Sequence, residues 1–146
     1  MTSDPKTFKI RPFEKSDKPE VIALWNACKL VVPWNDPEKD ILAKIKFQPD
    51  WFLVGVINGT IISTVMVGYE GHRGWINYLA VSPEFQRKGI GTRMMIEAEH
   101  LLKAVGCPKI NLQIRTSNTD VILFYESLGY SPDDVVSMGK RLITHS

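Results

Sequence analysis

Gln86-Arg87-Lys88-Gly89-Ile90-Gly91 combines two glycines with two cations, and its neighbours on either side read as different elements. Trp75-Ile76-Asn77-Tyr78-Leu79-Ala80-Val81 before it is β-branched and aromatic, the composition of a strand. After it, Gly91, Met94, Met95, Ala98, Leu101, Leu102 and Val105 recur at helical spacing. A loop at such a junction leaves backbone N–H groups free to converge, and the helix start adds partial positive charge. Glycine tolerates positive φ and lets a ligand approach the main chain closely. Arg87 and Lys88 add formal charge within the loop, while Arg93, one turn into the helix, reads as solvated charge. The stretch is an anion cradle suited to a phosphate. It is not a Walker A loop, because no Gly-Lys-Ser/Thr closes it and nothing stands ready for Mg²⁺. Nor is it a dinucleotide fingerprint, since Met94 occupies the third glycine position and the loop lies past the middle of the chain.

The loop resembles the Q/R-x-x-G-x-G/A motif of the GNAT superfamily of N-acetyltransferases. Leu79-Ala80-Val81-Ser82-Pro83-Glu84-Phe85-Gln86 is similar to that family's fourth strand running into the loop. Asn118-Thr119-Asp120-Val121-Ile122-Leu123-Phe124-Tyr125-Glu126-Ser127-Leu128-Gly129-Tyr130 is similar to its last helix and the Leu-Gly-aromatic step that follows. Trp34-Asn35-Asp36-Pro37, Gly71-His72-Arg73-Gly74 and the Gly139-Lys140-Arg141-Leu142 end look like a small bacterial subfamily, the YpeA-like acetyltransferases.

The resemblance implies acetyl-CoA as co-substrate, no metal, and direct attack of a primary amine on the thioester in a ternary complex. It implies that Gln86, Arg87, Lys88, Gly89, Ile90, Gly91 and Thr92 hold the pyrophosphate. The main chain of Leu79, Ala80 and Val81 would bind the pantetheine arm and polarise the thioester carbonyl. Asn118 would contact the cofactor, and equally reads as a helix N-cap. Tyr125 would stand near the sulfur. On spacing alone Tyr125 is a core residue of the Val121, Phe124, Tyr125, Leu128 stripe, and a buried ring with its hydroxyl at the site edge satisfies both readings.

Such a reaction must take a proton from the amine, supply a donor to the carbonyl oxygen and stabilise the departing thiolate. A phenol of pKa about 10 facing a thiol of about 8.5 donates a hydrogen bond more readily than a proton. A primary amine of pKa near 10 is only about one part in a thousand neutral at pH 7, so a base is sought. No carboxylate occurs in Trp75-Ile76-Asn77-Tyr78-Leu79. Glu70 is the base candidate set beside Tyr125, and Tyr78, His72 and Asp36 compete for that role, all four also having a structural reading; a weakly basic amine would remove the need. Val32, Pro33, Trp34 and Asn35, with Tyr78, line the expected acceptor wall, where the Trp34 ring either holds a cation or closes the core. His100 and His145 lack ligand spacing, Cys107 has no Cys/His arrangement, and no Gly-x-Ser-x-Gly elbow occurs. Two rivals stay open: a catalytically silent acyl-CoA-binding sensor, and another enzyme of a phosphate-bearing ligand. The acceptor, whether small molecule or peptide, is not named by these residues.

The elements that must position these groups follow from pattern. Thr7-Phe8-Lys9-Ile10-Arg11 is a short strand, Asp17-Lys18-Pro19-Glu20 has capping-box spacing, and Asp36-Pro37 caps a second helix. Strands over 51–57 and 60–69 flank an Asn58-Gly59 hairpin, and a third strand follows. The cradle helix ends at Gly106, a strand is expected over 109–115, a helix over 119–128 and a closing strand over 135–143. The expected fold is a single α/β (α+β) domain over 1–146, a mixed and mostly antiparallel sheet flanked by about four helices in the order β-α-α-β-β-β-α-β-α-β. A chain of 146 residues suffices for one core, and 44% hydrophobic with 23% charged residues is ordinary for a globular domain. A net charge of +2 does not argue for nucleic acid. Two separated cysteines fit a reducing compartment. Residues 1–6 lack a signal pattern and the apolar runs are too short for a bilayer, so a cytoplasmic protein with no membrane partner is expected. An exposed final strand leaves a homodimer open.

Overall fold

The computed structural model describes residues 7–143; residues 1–6, read above for a targeting signal, lie outside the described residues. Asn58 and Gly59 take φ of +50° and +78°, as a type I′ turn requires, and join β2 (Phe52–Ile57) to β3 (Thr60–Tyr69). β1 (Lys9–Pro12) pairs with β2, and β4 (Gly74–Val81) with β3, all antiparallel. β5 (Ile110–Asn111) adds to β4 in parallel, for a sheet order β1-β2-β3-β4-β5. α1 (Lys18–Ala27) and α2 (Pro37–Lys46) precede β2, α3 (Ile90–Ala104) links β4 to β5, and α4 (Thr119–Ser127) follows β5. The α/β class and the element order through α4 are as expected. None of the described helices is long and apolar enough to cross a membrane.

The helices cover both faces of the sheet. Val21, Leu24 and Trp25 of α1 and Ile41 of α2 pack with Phe52, Val54, Ile61 and Met66. Met94, Met95, Ala98 and Leu102 of α3 pack on the other face with Leu53, Ile62, Val65, Val67 and Ile76, and Tyr125 of α4 joins them. Burial on both faces explains why β2 and β3 read as nearly unbroken apolar runs. β3 outruns β2, whose pairing begins at Phe52↔Met66. Beyond it the Gln48 side-chain amide exchanges two 3.2 Å hydrogen bonds with the Tyr69 main chain, and Lys44 Nζ donates to the Val67 carbonyl. Burial there pushes the Lys44 pKa down to about 8.

Three helices stop by one device. Gly106 (φ +79°) and Gly129 (φ +96°) follow α3 and α4, with Cys107 N donating to Leu102 O at 3.0 Å and Tyr130 N to Tyr125 O at 3.1 Å. After α1 the left-handed position is Lys29 (φ +60°), with Leu30 N donating to Trp25 O at 2.9 Å. A lysine Cβ is disfavoured there, so Lys29→Gly is expected to stabilise the fold by about 0.5–1 kcal/mol and raise Tm by about 1–4 °C in a thermal melt.

Three expectations are corrected. The capping box lies one turn earlier than Asp17-Lys18-Pro19-Glu20. Asp17 accepts from Glu14 N at 2.8 Å and from both terminal nitrogens of Arg11 at 2.7 and 3.0 Å, while Glu20 accepts from Ile61 N at 2.9 Å. A fixed guanidinium within reach outcompetes the next helix's first turn. The Arg11 hydrogen bonds hold the buried Asp17 carboxyl below its ordinary pKa. Its stabilisation is therefore complete above about pH 5 and is lost as pH falls through the depressed folded value. Asp17→Asn is expected to cost about 1–3 kcal/mol at pH 7 and to flatten the acid limb, measured by urea unfolding across pH.

The closing strand over 135–143 does not form, and the strand expected over 109–115 shortens to β5. β5 gives no ladder past Asn111, so no paired edge continues for a further strand. Side chains hold the returning chain instead: Lys109 Nζ and Asn111 Nδ2 donate to Asp133 at 2.9 and 2.8 Å, and Gln113 to Ser137.

Candidate functional site

β4 pairs with β3 from Gly74 to Val81 but with β5 only at Gly74↔Ile110 and Trp75↔Asn111. Residues 76–81 therefore have no strand partner on the β5 side, and the sheet splays open there. Within this free edge β4 bulges: Asn77 pairs Met66 and Ala80 pairs Thr64, so Tyr78 and Leu79 together oppose Val65. Tyr78 takes φ +52°, a strained value for an aromatic residue. Thr64 Oγ1 donates to Tyr78 O at 2.8 Å and accepts from Trp25 Nε1 at 2.9 Å. The Tyr78 ring stacks on Trp25 at 3.9 Å, and its hydroxyl donates to Asp40 Oδ2 at 2.5 Å. Burial and the Asp40 contact push the Tyr78 phenol above its ordinary pKa, so it is held as a donor rather than a base.

β4 runs straight into the glycine loop. Ser82 N donates to Ile62 O at 2.7 Å, a single 3-10 turn covers Pro83–Phe85, and the last β4 carbonyl, Val81 O, accepts from Gln86 Nε2 at 3.0 Å and Cys28 Sγ at 3.2 Å. Arg87 (φ +63°) and Gly89 (φ +80°) turn the backbone, and the space over Gly89 is open. Arg93 N to Gly89 O, 3.1 Å, is the first bond of the α3 ladder, which leaves the Ile90, Gly91 and Thr92 amides without intrahelical acceptors. Lys88 Nζ lies 5.6 Å from the Phe85 ring centre and the Arg93 guanidinium 4.8 Å from that of Phe8. Gly91 has a packing reason: a Cβ there would stand 3.2 Å from Phe124 Cζ and 3.7 Å from Val81 Cγ2. Its missing side chain lets α4 dock on the start of α3 and the end of β4.

Asn118 acts as the α4 N-cap, accepting from Val121 N at 3.4 Å. Tyr125, one residue past Phe124, is 6% exposed, its ring edge-on to Phe124 at 5.1 Å and to Tyr130 at 5.6 Å. The helix stop explains the second contact, since the motif brings Tyr130 back over Tyr125. Tyr130 hydrogen-bonds Glu99 at 2.7 Å, whereas the Tyr125 hydroxyl has no hydrogen-bond partner among the described residues. Burial pushes the Tyr125 pKa above its ordinary value. Tyr125 borders a groove of about 810 Å³ bounded by the end of α3, β5, α4 and 131–137. Residues 86–92 are not among those that line this groove.

The remaining expected site residues are engaged within their own turns and loops. Glu70 lies beside the start of β4, about 20 Å along the strand from the glycine loop. It accepts from His72 N at 2.9 Å, from Arg73 N, and from Trp75 Nε1 at 3.1 Å. These donors lower its pKa to about 2 and make it a turn residue, with His72 in the same turn. Asp36 caps α2, accepting from Glu38 N at 3.0 Å and Lys39 N at 3.3 Å. Asn35 closes a turn onto Val32 O at 3.1 Å. The Trp34 ring does face a cation, but one from this chain: the Arg115 guanidinium at 4.8 Å, which ties the loop before α2 to the stretch after β5. Asp40, Thr64, Phe124 and Arg115 were not singled out from sequence. Phe124 alone had a signal, its place on the α4 stripe.

A family model described as the Acetyltransferase (GNAT) family matches residues 18–130. An acetyltransferase of Yersinia pestis (strain Pestoides F) is 47% identical over 134 residues, 92% of this chain and 95% of that protein. An acetyltransferase of Pectobacterium atrosepticum is 48% identical over 134 residues, with the same coverage of 92% and 95%. Among solved structures, the PaiA N-acetyltransferase of Thermoplasma acidophilum in complex with coenzyme A superposes with a TM-score of 0.76 at 19% identity. That match covers 88% of this chain and 92% of the other.

Proposed function

The chain belongs to the Acetyltransferase (GNAT) family, and we propose that it transfers the acetyl group of acetyl-CoA to a primary amine within a ternary complex. The observation that carries this reading is the free, bulged edge of β4 running into the glycine loop. The residues present fit the co-substrate. The Ile90, Gly91 and Thr92 amides, with Arg87 and Lys88, suit a diphosphate, and the open space over Gly89 admits it to the main chain. The edge of residues 76–81 that β5 leaves without a strand partner suits an extended amide-bearing arm, bound as a strand would be.

Acetyl-CoA supplies an acetyl group already activated as a thioester. The chain's part is orientation and charge. The Leu79–Val81 segment offers main-chain donors to the carbonyl oxygen, where hydrogen bonds matter most as negative charge develops. Tyr125 offers a neutral phenol to the sulfur, and the Phe124–Gly91 contact fixes α4 relative to the cradle. Glu70 is left out of this reading, because three donors of its own turn already engage its carboxylate at the far end of β4. An acceptor of low basicity reaches the site with its lone pair free, so no carboxylate is needed before attack, and the proton its nitrogen sheds as the C–S bond breaks passes to the departing thiolate to give the CoA thiol.

The test is CoA release from acetyl-CoA against a panel of amines and short peptides, with acetyl-CoA binding measured in competition with ATP and NAD. Release with one acceptor class supports the enzyme and names that class. Acetyl-CoA binding with no release from any acceptor favours a silent sensor, and displacement by ATP or NAD favours another phosphate ligand.

A further inference from the structure

We propose that Tyr78 and Asp40 are positioning residues: the hydrogen bond between them holds the β4 bulge in the conformation that turns the main chain of residues 79–81 into the splay. The proposal rests on the acetyl-transfer reading for its consequence on rate, but the conformational claim stands on geometry alone.

A tyrosine at φ +52° inside a strand is strained and persists only where its surroundings over-determine it. Three elements do so at Tyr78. From α1, Trp25 stacks on the ring at 3.9 Å; from β3, Thr64 Oγ1 donates to the carbonyl at 2.8 Å; from α2, Asp40 accepts from the hydroxyl at 2.5 Å. Trp25 and Thr64 are fully buried and joined to each other at 2.9 Å, so they form the fixed part of the clamp. Asp40 and Tyr78 are half-buried and form its adjustable end.

The pair is not explained as a fold-stabilising ion pair. Among the described residues no Lys, Arg or His lies within ion-pair distance of Asp40. Lys44, one turn on, is turned to Val67 O, and Asp36, the other acid acting on the phenol, is engaged by the Glu38 and Lys39 amides. The bulge shifts the β3–β4 register by one residue, from Asn77 opposite Met66 on one side to Ala80 opposite Thr64 on the other, so it sets which way residues 79–81 face. Its place is what distinguishes it: past the last contact with β5 and before the cradle. A bulge re-aims the residues that follow it, and a relaxed, extended Tyr78 would slip that aim by one residue.

The test uses the full chain with Tyr78→Phe, which deletes one hydroxyl, Asp40→Ala, which deletes the acceptor, and Asp40→Asn, which keeps an acceptor but not the charge. Amide hydrogen exchange over residues 76–81 reports the bulge, and kcat with KM for acetyl-CoA reports the reaction. Tyr78→Phe and Asp40→Ala are each expected to raise exchange in that segment about tenfold and to lower kcat about tenfold, with KM within about twofold. The double variant should be no worse than either single one, and Asp40→Asn should recover to within about threefold of the native values. Native exchange and native kcat in Tyr78→Phe would overturn the proposal. So would an Asp40→Asn variant as impaired as Asp40→Ala, because Asp40 would then act through its charge. If the native chain turns over no acceptor, the acetyl-transfer reading fails on its own. Exchange then decides the clamp, a rise in the variants supporting it and an unchanged pattern overturning it.

Discussion

Replacing Tyr125 by phenylalanine is expected to lower kcat by about 10–100-fold while leaving Tm unchanged or slightly raised. The two halves of this result come from one observation. The ring is buried at 6% exposure and packed edge-on against Phe124 and Tyr130, and phenylalanine keeps all of that. The hydroxyl has no hydrogen-bond partner among the described residues, so its removal breaks no contact that holds the fold. On the acetyl-transfer reading proposed above, its use lies in the reaction. A hydrogen bond to a group becoming anionic contributes about 1.5–3 kcal/mol, which sets the size of the fall. Because burial raises the phenol's pKa, Tyr125 stays protonated across the neutral range and adds no ionisation to the pH–rate profile there. Steady-state kinetics and a thermal melt on the same preparation check both halves. A variant with native kcat would remove Tyr125 from the chemistry and leave it as packing. A variant that loses kcat and Tm together would make it a core residue whose loss reaches the site indirectly.

Why the loop could be read from sequence, and the bulge could not, is a matter of range. Glycine at 89 and 91, Asn58-Gly59, and the apolar spacing of α3 are local signals, each tied to a backbone conformation or period that one stretch of chain determines. The bulge has no such marker. Tyr78 is not a glycine, and its positive φ depends on Trp25, Asp40 and Thr64, contributed by three other elements. The same limit explains the corrected details. Asp17 had the spacing of a box with Glu20, but Arg11 on β1 claimed its carboxylate. Residues 135–143 have a strand's composition, yet a strand also needs an edge, and β5 ends its ladder at Asn111. Glu70 was chosen for its carboxylate, and only the fold shows three donors of its own turn already converging on it.

Gly55→Ala is expected to destabilise the fold by about 2–3 kcal/mol, a large share of the roughly 5–15 kcal/mol that holds such a domain together. Gly55 pairs with Ser63 across β2 and β3, beside a register shift at Gly55/Val56. A Cβ built there would lie 2.0 Å from Ser63 Oγ and 2.5 Å from Phe8 Cε1 and Cζ. The hydroxyl can be removed without loss: Ser63 Oγ is buried with no hydrogen-bond partner among the described residues, so Ser63→Ala alone should be neutral or stabilising by up to about 1 kcal/mol. The double variant should then recover part of the loss but not all, since the Phe8 ring remains in the way. Urea unfolding should rank the proteins with Ser63→Ala at or above native, the double variant below, and Gly55→Ala last. The strain also has a route to the cradle. Phe8 carries the Arg93 guanidinium at 4.8 Å, and Arg93 sits in the first turn of α3, so a displaced ring should raise KM for acetyl-CoA in whatever fraction stays folded. If Gly55→Ala instead unfolds at the native urea concentration, β1 must yield to the added methyl, and a rise in KM would be the trace of that movement.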